Sequence, residues 1–120
     1  MTRNPADKTC TPCRGGIPPL SAVEVANLLP QAANWEAIDN HTKIEGCFTF
    51  KNFRMALDFV HQVGKLAEAE FHHPLVITFG WGFATIVLQT KKIKGLHKND
   101  FIMAAKINEL SKSVSLDTPS

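Results

Sequence analysis

The stretch "NFRMALDFVHQVGKLAEAEFHHPLVITFGWGFATIVLQT", residues 52–90, decides the fold. Asn52 is a helix cap, and the polar residues Arg54, Asp58, His61, Lys65 and Glu68 follow it at steps of four and three. That period puts them on one face of a helix running from Phe53 to Glu70. Phe53, Leu57, Val60, Val63 and Ala67 then form the buried face, with Phe59 and Leu66 widening it. His61 belongs to the solvated face. Pro74 disfavours helical geometry at His73, so the helix must stop before it. Two β segments come next, Leu75 to Phe79 and Phe83 to Thr90, joined by "GWG". An amphipathic helix feeding a hairpin needs a sheet to cover.

Working outward, Ser21 caps "SAVEVANLLP", Glu24 completes a capping box, and Pro30 closes that helix. "WEAIDNHTKIEGCFTF" reads as a first hairpin: "DNH" supplies the turn, and Ile44, Gly46, Phe48 and Phe50 alternate with Lys43, Glu45, Cys47 and Thr49. A closing helix from about Lys98 to Leu110 turns Phe101, Ala104 and Ile107 inward, joined by Met103 and Leu110. The order helix, strand, strand, helix, strand, strand, helix predicts an α+β fold: a four-stranded antiparallel sheet with helices packed on one face. Such a sheet keeps two edges and an uncovered face, which favours self-association. Residues 1–19 hold four of the seven prolines, two adjacent glycines and two cysteines, so they read as an irregular arm. The expected division is therefore the arm at 1–19, one domain at 20–113 and a flexible tail at 114–120.

At 120 residues the chain is long enough for one core without metal or disulfide staples. A formal net charge of +2 argues against direct nucleic-acid binding, and "KKIK" at 91–94 reads as a solvated strand end. The N-terminus lacks the apolar core of a secretory signal, and the longest apolar run, Pro74 to Leu88, is interrupted by Gly80 and Gly82. No membrane span is expected, and three cysteines suit a reducing compartment. The expected location is the cytoplasm.

Four features carry candidate chemistry. Cys10-Thr-Pro-Cys13 is a CxxC, but a structural zinc needs four ligands and no second pair is suitably spaced. Cys47 reads as a small, half-buried strand residue. His72 and His73 close the long helix, and Glu68, four residues before His72, is positioned to reach that imidazole. Pro74 turns the two rings in different directions, so they read either as a polar turn or as a pair of proton-transfer groups. Trp81, flanked by glycines, either caps the core or walls a site for an aromatic ligand. Asp100 falls in the first turn of the last helix, where a carboxylate suits the dipole.

Together these residues resemble a family signature. "EAEFHHP", Trp81, Lys91 and Asp100 at their spacings are similar to the pattern of pterin-4a-carbinolamine dehydratases. "CTPCRGGIPPLS" resembles the arm of bacterial members and "GLHKNDFIMAAKINEL" their final helix. The resemblance implies loss of water from 4a-hydroxytetrahydropterin to give the quinonoid dihydropterin that a reductase recycles, with no metal or organic cofactor. It implies that His72 is a general acid/base and that His73 binds and orients the pterin. Glu68 and Asp100 would support the histidines, while Trp81, beyond Pro74, would line the pocket. It also implies dimers that join edge strands, often pairing into tetramers.

Two positions depart from the family pattern. Relatives usually carry a second catalytic histidine, or a tryptophan, where Lys91 stands. A lysine is ordinarily protonated near neutrality and does not readily cycle as a base, so turnover is expected to be blunted. His97 replaces the Ser or Thr that would cap the last helix. Some proteins resembling this chain instead act as rubisco assembly factors or as dimerisation cofactors of transcription factors, which leaves a non-catalytic binding protein as the alternative.

Overall fold

The computed structural model describes residues 18–117, with side chains as far as Val114. The arm expected at 1–19, with Cys10 and Cys13, therefore lies almost wholly outside the described residues. Among the described residues no helix is long and apolar enough to cross a membrane.

The chain opens with α1 (Ala22–Leu28), whose capping box is complete: Ser21 Oγ accepts from the Glu24 N–H, and Glu24 accepts from the Ser21 N–H at 2.9 Å. The second bond holds the Glu24 carboxyl below its ordinary value of 4.5. Its contribution is thus present above that value and is lost as pH falls through the lowered one. A 3-10 turn at Leu29–Gln31, with Pro30 at its centre, leads into β1 (Trp35–Ile38) and β2 (Lys43–Thr49). Asp39, Asn40 and His41 all take positive φ in the turn between them, and these residue types tolerate that region best.

Next come α2 (Phe53–Glu70), β3 (Val76–Gly80), β4 (Phe83–Leu88) and α3 (Lys98–Asp117). The strands form one antiparallel sheet in the order β1-β2-β4-β3. α2 thus carries the chain across β4, and β2 and β3 run parallel with β4 between them. Ile44, Phe48, Ala84, Ile86 and Leu88 point to the covered face and are buried, the first two as the alternation along residues 43–50 predicted. Phe59 anchors α2 there, its ring centroid 4.8 Å from that of Phe48 and 5.1 Å from that of Phe50. Trp35 ties β1 to α3, donating from Nε1 to Asn108 Oδ1 at 2.9 Å.

The helix boundaries at 53 and 70 match the sequence reading, and Asn52 caps α2 by accepting from the Met55 N–H. Its buried face matches at Phe59, Val63 and Ala67, with Val60 and Leu66 packed against the core, but differs in the first two turns. Met55, Ala56, Phe59, Val63 and Ala67 are buried, whereas Phe53 and Leu57 are 42% and 40% exposed. Small Ala56 and Ala67 let the backbone approach the sheet, and this rotates the first two turns until Phe53 reaches only the β3 margin, against Phe79. Cys47 also differs: it is exposed on the uncovered face. α3 continues to Asp117, so the tail expected from 114 begins as helix. Leu110 and Val114 pack against the core and explain the extension.

Candidate active site

The site is built where α2 ends. Phe71 takes the left-handed conformation, φ 52° and ψ 36°, which stops the helix one residue after Glu70. The His72 N–H then reaches back to the Ala67 carbonyl at 3.2 Å, the six-to-one bond of a Schellman ending. This reversal, followed by Pro74, sends the two imidazoles apart.

His72 turns inward and is 8% exposed. Its Nε2 lies 2.7 Å from Asp100 Oδ1. Asp100 is fully buried, and its Oδ2 accepts from Thr90 Oγ1 at 2.8 Å and from the His97 N–H at 3.0 Å. An ionised carboxylate can only accept, and with Asp100 in that form a neutral His72 would carry its hydrogen on Nε2 and leave the Nδ1 lone pair free. Asp100 therefore does more than complement the helix dipole, because it holds the ring of His72 in place. Burial gives this pair its weight: removing either partner strands a polar group away from water.

His73 turns outward, and its Nε2 meets Glu68 Oε2. Glu68 thus serves His73 and not His72, because the left-handed residue ends the four-residue helical relation before it reaches position 72. Both side chains are more than half exposed, so this pair orients the ring more than it stabilises the fold. Neither Nδ1 has a hydrogen-bond partner among the described residues.

A cavity of about 500 Å³ opens here, with Phe71, His72 and His73 on one side and residues 89–92 on the other. That is a size suited to a small organic ligand. Lys91 begins a 3-10 turn, Lys91–Ile93, which the left-handed Lys94 closes. Behind it Thr90 bridges to Gly95, its N–H bonded to the Gly95 carbonyl at 2.9 Å. His97 caps α3 despite being neither Ser nor Thr, because its Nδ1 accepts from the Asn99 N–H at 3.1 Å.

The structure brings His72, His73 and Lys91 to one cavity. Glu68 and Asp100 sit behind the histidines, and Pro74 lies in the turn that leads to β3. Trp81 is not with them. It stands 73% exposed in the β3–β4 turn, at the far end of the hairpin. Strand residues rise about 3.3 Å each, so the length of β3 puts the indole roughly 16 Å away. It neither caps the core nor lines this cavity. Phe71, Gln89, Thr90 and Lys92 also line the cavity and are the members that the sequence reading missed. Phe71 could have been noticed as a bulky residue where a helix ending before "HHP" calls for Gly or Asn. Among the described residues, no group of three or more His, Cys, Asp or Glu side chains is arranged to hold a metal.

Known proteins share the family pattern and the fold. Residues 18–110 match the family profile described as pterin 4 alpha carbinolamine dehydratase. A protein of Cupriavidus pinatubonensis named as a candidate pterin-4-alpha-carbinolamine dehydratase is 52% identical over 115 residues, covering 96% of this chain and 98% of its own. A protein of Methylococcus capsulatus named likewise is 56% identical over 104 residues, covering 87% and 90%. Among solved structures, the transcriptional coactivator/pterin dehydratase from Brucella melitensis superposes with a TM-score of 0.73 at 28% identity, covering 78% of this chain and 98% of that one. A pterin dehydratase-like protein identified as a RuBisCO assembly factor in the alpha-carboxysome shares the fold, with a TM-score of 0.58 at 20% identity over 65% of this chain and 89% of that one. The chain belongs to the pterin 4 alpha carbinolamine dehydratase family.

Proposed function

We propose that this protein dehydrates 4a-hydroxytetrahydropterins, releasing water and giving the quinonoid dihydropterin. The observation that supports this reading is the pair of adjacent imidazoles, each tied through Nε2 to its own carboxylate and both lining one cavity. The reaction breaks the C4a–O bond and removes the hydrogen on N5. The N5–H electron pair becomes the second bond between N5 and C4a, and the hydroxyl leaves as water with a proton from the acid. One proton is supplied and one is taken up, so groups that titrate near neutrality serve both transfers.

His72 is the general acid/base in this reading. Its Nδ1 is the exchanging atom, and Asp100 stabilises the ring whenever it carries the extra proton. His73 binds and orients the pterin, held by Glu68. Lys91 donates a hydrogen bond from the facing wall. No role is given to Trp81 within one copy of the chain.

A stopped-flow dehydration assay with chemically generated carbinolamine tests the reading. Wild type should accelerate the loss of water, and His72→Ala should remove most of that acceleration, roughly a hundredfold or more for a lost acid/base. A wild type indistinguishable from the uncatalysed rate would sink the enzymatic reading and turn attention to a protein partner.

A further inference from the structure

Phe71 is hard to explain as part of the scaffold. Its φ of 52° lies in the left-handed region, where a side chain with a Cβ is strained and where helix ends normally use Gly or Asn. A bulky hydrophobe at such a position is usually justified by a packing contact across the helix end. Here the residue is 88% exposed, so no such contact repays the strain. An exposed, strained aromatic beside two orienting histidines has the character of a functional residue.

Its surroundings suggest what it does. Phe71 is the residue before His72 and His73, and it lines the same cavity. The other lining residues offer hydrogen bonds and charge: two imidazoles, Gln89, the Thr90 hydroxyl, Lys91 and Lys92. None of them presents an apolar aromatic face. A fused bicyclic substrate has polar edges and flat faces, and only Phe71 here complements a face without competing for its polar atoms. Trp81, the other exposed aromatic expected at the site, is at the wrong end of the hairpin.

We propose that Phe71 is a positioning residue whose ring packs on the flat face of the bound pterin and holds it in register with the two histidines. This rests on the dehydratase reading. The left-handed cap is then the device that presents the ring, because a helical residue at 71 would not leave the chain in the same direction.

The test compares Phe71→Gly, Phe71→Asn and Phe71→Trp with wild type. Gly and Asn both accept the left-handed conformation, so the turn that carries the histidines survives and the Gly variant should melt at a higher temperature. Both should raise KM about tenfold, the scale of a lost stacking contact, while kcat changes much less. They should also weaken binding of 7,8-dihydropterin, a non-reacting flat bicycle, by a similar factor in a fluorescence titration. Phe71→Trp should restore both quantities. An unchanged KM and unchanged dihydropterin affinity in the Gly and Asn variants would overturn the proposal, as would a wild type that does not bind dihydropterin. A wild type that binds dihydropterin yet does not accelerate dehydration sinks the dehydratase reading alone, and the affinity ratio still decides the role of Phe71.

Discussion

Lys91 lines the cavity opposite the two imidazoles, where the resemblance implies a further histidine, and its backbone is held by a short turn that does not depend on its side chain. A histidine at this position would keep the same anchor and could both give and accept a proton. We predict that Lys91→His raises the dehydration rate by about tenfold or more, within the range for an added acid/base, and leaves the melting temperature nearly unchanged. An unaltered rate would mean that neither proton transfer passes through position 91. The sequence displayed this site unevenly. His72, His73 and Lys91 were legible because their types are uncommon and their spacing long. The pairing of carboxylates with rings was not, because Glu68 and His72 look like neighbours only while the helix continues. One left-handed residue, Phe71, hands Glu68 to His73 and leaves His72 for an aspartate 28 positions away. Trp81 was misplaced for a related reason: linear distance from Pro74 does not say that an intervening strand carries the residue away from the site.

Among the elements, β1 and β2 show how one missing side chain can set a contact. Trp35 and Gly46 are direct partners across the β1–β2 ladder. A Cβ on Gly46 would stand 2.6 Å from the Trp35 ring, which covers the glycine while Nε1 bonds to Asn108. The ring cannot retreat without breaking its link to α3. Gly46→Ala should therefore destabilise the protein by about 1–3 kcal/mol, the usual cost of forcing atoms into a packed site. Urea unfolding monitored by tryptophan fluorescence measures this, and a neutral result would show that the Trp35 anchor is dispensable. Strand order aside, the elements themselves could be read directly. Alternation at Ile44, Gly46 and Phe48 and the polar period of α2 mark both kinds of structure. What periodicity could not fix was the rotation of α2. Phe53 and Leu57 satisfy the apolar stripe as well as Met55 and Ala56 do, and only the close approach permitted by Ala56 selects between them. The end of α3 was hidden in the same way, because the polar residues 111–113 look like the end of the helix, with a tail from 114, until Val114 is seen packing on the core.

At the scale of the whole molecule, the helices cover one face of the sheet and leave the edges β1 and β3 unpaired among the described residues. The two edges differ. β1 is four residues long and carries Glu36, whereas β3 reads "VITFG", with no charge and no proline to discourage another strand. Val76 on that edge is 49% exposed. Antiparallel pairing of β3 with β3 of a second copy is self-complementary, since one two-fold axis satisfies both strands at once. We therefore predict that the protein associates through β3 and sediments at a multiple of the 13.2 kDa chain mass in the micromolar range. Val76→Lys combined with Thr78→Lys alters two side chains on the uncovered face and should return it to that monomer mass. Placing like charges opposite one another opposes the intermolecular ladder while leaving the pairing of β3 with β4 intact. A wild type that sediments as a monomer would remove the prediction, and a variant that stays associated would move the interface to another surface. Because β3 begins just after Pro74, pairing at this edge would also stiffen the strand that follows His73. The double variant should then lose dehydratase activity in step with dissociation only if the site depends on that rigidity.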